Sequence, residues 1–235
     1  MPSTTIRIID RSNRPWISRE LQQFCGFYRL DEPSHLYFDI ATPPEHCALI
    51  SHTFLKAPGR LRAAALYLEL TVSTTSQPQT KYGFLSAVYG DWAQHRHKLI
   101  SPHLEMSAPS LAPELVQPHL VHECSHLFWA IQSTGARDAF VGAMVELMKN
   151  NLHEVTDYAQ GFYNEWQKLL KLLHQGGEAI VARLNRALEK WVTESFCESV
   201  AKICCPGYKH YEEREAEPLL DERRKLIASH FGLEL

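Results

Sequence analysis

The sequence predicts an α+β fold, in which a sheet-bearing N-terminal part is followed by a mainly helical C-terminal part. Before residue 110, short apolar runs rich in β-branched and aromatic residues alternate with polar and proline breaks. After residue 110, apolar residues recur at helical spacing. Since no Gly/Ser-rich linker separates the two parts, we predict a single domain, 1–235, with a sheet-rich lobe at about 1–110, a helical lobe at about 111–235 and a cleft between them.

The N-terminal part is predicted to contain strands interrupted by two helices. The strand segments are TIRIID (5–10), HLYFDIA (35–41), AALYLELTV (64–72), YGFLSAVYG (82–90) and HKLISPHLEM (97–106). One helix is predicted over SRELQQFCGFYRL (18–30), with Ser18 as its N-cap, and a second around 45–56.

The C-terminal part is predicted to be a series of helices. The first starts at Pro118, a residue suited to a first helical turn. The segments are PHLVHECSHLFWAIQ (118–132), ARDAFVGAMVELMKN (136–150), EVTDYAQGFYNEWQKLLKLL (154–173), EAIVARLNRALEKWVTESFCESVAKICC (178–205) and a last helix at roughly 214–231. The charged runs EEREAE (212–217) and ERRK (222–225) predict a solvated helix face near the C-terminus.

The composition excludes several classes of function. An apolar share of 45% and a charged share of 22% are typical of a globular protein. The net charge of -3 gives no electrostatic reason to expect a nucleic-acid partner. No stretch approaches the roughly 20 apolar residues that a membrane span requires, and no signal peptide is recognisable. We therefore expect no membrane partner and a cytoplasmic location, with non-classical export or injection as the alternative. The oligomeric state stays open.

The segment LVHECSHLFWA (120–130) contains the motif HExxH. Residues i and i+4 face the same way on a helix, so His122 and His126 can present two imidazole nitrogens to one metal ion. Glu123 falls beside that position, where it can act as a general base towards a zinc-activated water. The alternative interpretation is an ordinary amphipathic helix with two hydrogen-bonded histidines.

A third ligand must come from elsewhere in the chain. The metzincin continuation HExxHxxGxxH is excluded, because Trp129 and Gln132 occupy the positions of its glycine and last histidine. Downstream, WVTESFCESVA (191–201) carries Glu194 and Glu198 four residues apart, on one helix face with apolar flanks. A buried carboxylate needs a partner or a metal, so one of them can ligate while the other hydrogen-bonds a histidine ligand.

Two alternatives to a third ligand from Glu194 or Glu198 remain open. His153 and Asp157 also have i, i+4 spacing and are rival third ligands. Glu194 and Glu198 can alternatively be surface carboxylates of an amphipathic helix.

Together, HECSH and WVTESFCES resemble the gluzincin metallopeptidases, the group of thermolysin and of the aminopeptidases with a WLNEGFAE-type segment. The resemblance implies a zincin-like fold and a Zn²⁺ site with Glu194 as third ligand and Glu198 supporting a histidine. It covers about twenty residues. Thr193 and Ser195 depart from the family's Asn and Gly, and the 68-residue gap from His126 to Glu194 is longer than in those enzymes.

The implied activity is hydrolysis of peptide bonds in a peptide or protein substrate. No GxMEN-type segment is present, so an endopeptidase is favoured over an aminopeptidase. The substrate is expected to lie antiparallel along an edge strand, for which HLEMSA (103–108) is the candidate. The alternative is a non-catalytic protein of the same fold, in which the metal site is structural or degenerate and the helical part binds a partner.

Peptide hydrolysis also requires a donor that stabilises the oxyanion. PGYKHYEER (206–214) places Tyr208 and His210 just beyond the helix of Glu194, and these two are the predicted donors. Further candidates are Tyr158, Tyr163 and Tyr211. Cys124, inside HECSH but on a different helix face from the histidines, is predicted to pack in the core.

Overall fold

The α+β class is confirmed by a computed structural model of the chain. It describes residues 6–10, 25–75, 84–86, 102–107, 111–149, 154, 156–173, 178–207 and 220–235. The chain divides into two compact units, Met1–Ile131 and Gln132–Leu235. Among the helices in the described ranges, none combines the length and the apolar character needed to cross a membrane. The arrangement as one domain with a cleft between two lobes stays a prediction.

The first unit contains a mixed sheet, six-stranded over the described residues. The strands are β1 Ile6–Asp10, β2 Cys25–Leu30, β3 Tyr37–Asp39, β4 Thr71–Thr75, β5 Phe84–Ser86 and β6 His103–Ser107, in the order β1-β2-β3-β4-β6-β5. β3, β4 and β6 run parallel to one another. β1 pairs with β2, β2 with β3 and β5 with β6 in antiparallel fashion.

Helices make up most of the described structure. They are α1 Pro44–Phe54, α2 Gly59–Tyr67 and α3 Pro113–Ile131 in the first unit, and α4 Thr134–Met148, α5 Asp157–Leu172, α6 Glu178–Cys204 and α7 Leu220–Phe231 in the second. In the first unit, α1 and α2 both pack against α3. Ser133 caps α4 and Thr156 caps α5, each accepting a hydrogen bond from a backbone N–H of the first turn.

The core of the first unit is built across the parallel strands. Phe38 pairs with Val72 and Val72 with Leu104, and all three side chains are fully buried. The side chain of His103 in β6 is hydrogen-bonded to two residues of β4, to Thr71 at 2.9 Å and to Ser73 at 2.8 Å. These contacts fix β6, the last described strand before α3.

The second unit has an aromatic core between its helices. Trp166 of α5 stacks on Trp191 of α6, with ring centroids 4.9 Å apart and an interplanar angle of 18°. Phe140 of α4, Phe196 of α6 and Phe231 of α7 form a second cluster with centroid distances of 5.1–5.8 Å. Both clusters bury the second half of α6.

Two predicted elements are wrong over part of their length. Residues 25–30 form strand β2, because Cys25–Leu30 pairs with a strand on either side, so the helix predicted over 18–30 does not extend there. Residues 18–24 lie outside the described residues. Of the strand predicted over 64–72, residues 64–67 belong to α2, whose run of three alanines has high helix propensity. Glu69 has a φ of 54° between α2 and β4.

Two further predictions about strand and helix ends also need correction. The segment 103–108 is not an edge strand, because β6 pairs with β4 on one side and with β5 on the other. Among the described strands, β5 lies at that edge of the sheet. Helix α3 begins at Pro113 rather than Pro118, since the first turn is already closed by hydrogen bonds to the carbonyl of Ala112.

The other predicted elements fall close to observed ones. The strands predicted at 5–10, 35–41, 82–90 and 97–106 overlap β1, β3, β5 and β6, and the helices predicted around 45–56 and after residue 134 overlap α1 and α4–α7. Residues 97–101 and 208–219 lie outside the described residues.

Truncating Leu104 to alanine is expected to lower the free energy of unfolding by about 2–5 kcal/mol, because it opens a cavity in the sheet core. Leu66→Ala is the matched control, since Leu66 of α2 is 36% exposed, and it should cost less than about 1 kcal/mol. Urea denaturation followed by circular dichroism measures both. Equal losses would contradict this assignment of the core.

Candidate metal centre

Helix α3 carries the HExxH motif in a mostly buried stretch. From Pro118 to Trp129 every residue is buried except His122 and Glu123, which are half-buried. His126 lies one turn further on and is buried. The helix therefore buries His126 and leaves His122 and Glu123 partly accessible.

The two histidines point at one another. Their Nε2 atoms are 3.1 Å apart, and the ring centroids are 4.9 Å apart with an interplanar angle of 73°. Two imidazole nitrogens bound at about 2.0–2.1 Å to one tetrahedral zinc ion would be about 3.3–3.4 Å apart. The observed separation is therefore close to the spacing of two ligands on a shared ion. It also fits a direct hydrogen bond from one ring to the other.

Helix α6 supplies a carboxylate. From Trp191 to Ile203 every residue is buried except Glu194, which is half-buried. Alanine, glutamate, leucine, lysine and arginine, which have high helix propensity, make up 14 of the 27 residues of α6. The helix ends at Cys204, two residues before Pro206, which cannot continue it.

One ligand atom each from His122, His126 and Glu194 lies within 4.8 Å of the other two. This group could hold a metal ion. Two imidazole nitrogens and one carboxylate oxygen form a donor set that suits first-row transition metals. Among the described residues this group comprises three ligands, whereas structural zinc sites typically have four.

The remaining candidate ligands are placed as follows. Glu198 is buried one turn after Glu194 on the same helix, and its support of a histidine stays a prediction. Asp157 is exposed in the first turn of α5 and does not belong to the group that could hold a metal. His153, its predicted partner, lies outside the described residues.

The candidate oxyanion donors fall partly outside the described residues. Tyr208 and His210 lie outside the described residues, as does Tyr211. Tyr163 is buried in the second unit, where its hydroxyl donates to the carbonyl of Met148 at 3.4 Å. Burial also raises the pKa of Tyr163. Tyr158 is 44% exposed, and its ring packs edge-on against Phe162.

Cys124 packs in the core, as predicted. Its side chain is fully buried, and burial, with a smaller contribution from the charge of Glu123, raises the pKa of the thiol to about 12. The thiol therefore stays protonated at neutral pH and is a poor metal ligand.

The buried ion pair between Glu154 and Arg223 was not predicted from any local pattern. Their side-chain exposures are 0% and 1%, and Arg223 Nη2 donates to Glu154 Oε2 at 2.7 Å. Arg223 belongs to ERRK (222–225), for which a solvated face was the expectation. That expectation is correct for Glu222, Arg224 and Lys225, which are exposed, and wrong for Arg223.

Comparison with known proteins does not assign this site to a family. No protein family, curated protein or solved structure matches the chain.

Replacing any one of His122, His126 and Glu194 with alanine is expected to weaken binding of Zn²⁺, because each change removes a direct donor. The loss should exceed the roughly 10–100-fold that removal of an outer-shell partner typically causes. Competition against a chromophoric chelator measures the affinity of each purified variant.

Matched controls come from the same residue types on the surface. His52→Ala, in the last turn of α1, and Glu178→Ala, in the first turn of α6, change exposed residues and should leave the affinity unchanged. Wild-type affinity in Glu194→Ala would show that the third ligand is assigned wrongly.

Proposed function

We propose that this protein is a zinc-dependent metallopeptidase of the gluzincin type with a zincin-like fold. The observation that carries the proposal is the group of His122, His126 and Glu194, whose ligand atoms lie within 4.8 Å of one another. Glu123 follows His122 directly in sequence and is half-buried. Two histidines and a glutamate as ligands, with a second glutamate inside HExxH, are the combination that the resemblance to gluzincins implies.

The donor set favours zinc as the metal. Histidine and carboxylate ligands in the ratio 2:1, with a fourth position open, are typical of catalytic zinc sites in metallopeptidases. Zn²⁺, when bound, supplies a Lewis acid that polarises a carbonyl and lowers the pKa of a coordinated water to about 7.

Glu123 is the proposed general base. Its carboxylate accepts a proton from the attacking water as the water oxygen bonds to the substrate carbonyl carbon. The same group then gives the proton to the leaving nitrogen as the C–N bond breaks, so a peptide bond and water yield a carboxylate and an amine. Tyr208 and His210 are the proposed donors to the oxyanion.

The sheet suggests how a peptide binds. β5 lies at an edge of the described sheet and runs antiparallel to β6. An extended peptide can add to such an edge through main-chain hydrogen bonds, while its side chains provide specificity. An endopeptidase acting on peptide or protein substrates is favoured because the sequence has no GxMEN-type segment of the aminopeptidases.

A second candidate function is a non-catalytic protein of the same fold that binds a partner. It is favoured by the 3.1 Å separation of the two histidine Nε2 atoms, which also fits a direct hydrogen bond without any ion. In that case the motif would be a degenerate or structural site.

Glu123→Gln is expected to lower the rate of peptide hydrolysis by about 10²–10⁴-fold, because the amide cannot accept the proton of the attacking water. Affinity for Zn²⁺ should be retained, since Glu123 is not among the three ligands. An N-terminomic comparison of lysates exposed to the wild-type chain and to Glu123→Gln measures the effect on every protein that is cleaved, so no substrate has to be chosen beforehand.

Glu114→Gln serves as the control, because Glu114 is an exposed glutamate in the first turn of the same helix. It should produce the same new N-termini as the wild type. If Glu123→Gln also produces them at the wild-type rate, Glu123 is not the base. If the zinc-loaded wild type produces none, the partner-binding function is favoured.

A further inference from the structure

A buried polar network lies along α6 within the second unit. Its centre is the ion pair of Glu154, just before α5, and Arg223 of α7. Arg223 also makes a 3.6 Å contact through Nη2 to Met148 Sδ at the end of α4. The backbone N–H of Glu154 donates to Gln160 Oε1 at 2.7 Å. One pair of charges therefore connects segments from all four described helices of this unit.

The network holds α6 at three positions. Trp191 Nε1 donates to Glu154 Oε1. Ser195 Oγ donates to Glu154 Oε2 at 3.0 Å and accepts from Arg223 Nη1 at 2.8 Å. Ser199 Oγ donates to the carbonyl of Ser195 and accepts from Arg223 Nη1 at 3.1 Å. Each hydroxyl thus has a defined proton acceptor and a defined donor.

The spacing of these contacts restrains rotation of α6. Trp191, Ser195 and Ser199 are four residues apart and therefore lie along one face of the helix. Glu194 directly precedes Ser195 and is displaced from that face by about 100°. A rotation of α6 by about 10° would move an atom about 5–6 Å from the axis by about 1 Å. Metal–ligand distances normally lie within about 0.2 Å of their standard values, so a shift of this size would have to be absorbed by a change in the Glu194 side-chain conformation.

Stability alone does not account for a network of this kind. Both charges are almost fully buried, and the cost of removing two charges from water often exceeds their mutual attraction. Well-packed apolar residues of similar volume often stabilise the same space as well or better. What apolar residues would not supply is a fixed orientation of α6 through directed hydrogen bonds.

We propose that Glu154 and Arg223 are positioning residues, which orient α6 so that Glu194 is preorganised as a metal ligand. This inference rests on the proposed function. Neither residue belongs to the group that could hold the metal, so they act on it through Trp191, Ser195 and Ser199, to which they are hydrogen-bonded.

The test is a double variant, Glu154→Leu with Arg223→Met, which removes both charges and leaves no unpaired charge in the core. Its affinity for Co²⁺ and Zn²⁺ is measured on the metal-free full-length chain, together with the visible absorption spectrum of bound Co²⁺. We expect the variant to fold with a lowered thermal transition, because the indole N–H of Trp191 loses its buried acceptor. Metal affinity should fall by about 10–100-fold, and the Co²⁺ spectrum should change because the coordination geometry changes.

Arg224→Met is the matched control. Arg224 is the next residue on α7, its side chain is 47% exposed, and it contacts the exposed Asp221 at 3.6 Å. This variant should keep both the affinity and the Co²⁺ spectrum of the wild type. A double variant that is folded and binds Co²⁺ with wild-type affinity and spectrum would overturn the positioning role.

If the double variant folds poorly, Ser195→Ala provides a second test. It removes the hydrogen bonds of Ser195 to Glu154 and Arg223 and leaves the ion pair in place. Weaker metal binding by folded Ser195→Ala supports the proposal, and unchanged binding overturns it. If the wild-type chain itself binds neither ion, the proposed metal site fails and this inference fails with it. If the wild type binds metal and the variants bind equally well, only the inference fails.

Discussion

The buried ion pair of Glu154 and Arg223 is the interaction that joins the described helices of the second unit. Both side chains are excluded from water. Loss of a hydrogen-bond partner would leave a buried polar group unpaired and would destabilise the folded state. Those partners belong to different helices, so the hydrogen bonds restrict how these helices can be arranged. The aromatic contact of Trp166 with Trp191 adds packing along the same helix, but it lacks the directionality of the hydrogen bonds.

This constraint gives α6 two different sides. The side with Trp191 and Ser195 is closed and hydrogen-bonded, whereas Glu194 keeps partial exposure. α3 shows the same combination, since His126 is buried while His122 and Glu123 are half-buried. A catalytic metal centre needs both properties, because its ligands must be held in place while one coordination position stays open to substrate.

The features that could be predicted from the sequence are those set by local spacing. His122 and His126 are four residues apart on one helix, so their convergence follows from helix geometry, and the α+β class followed from hydrophobic periodicity. The predictions that failed concern features set by contacts between distant parts of the chain. Residues 25–30 form a strand because two neighbouring strands pair with them. Arg223 pairs with a residue 69 positions away, and its one local signal is that it lies four and eight residues before the buried Ile227 and Phe231 of α7.

Metal content tests most directly whether this chain binds one metal ion. Elemental analysis of the full-length protein, purified without added metal or chelator, should find about one zinc per chain. Re-addition of Zn²⁺ to protein stripped by a chelator should restore that stoichiometry. A folded chain that contains no zinc and takes up none from a stoichiometric excess would contradict the account.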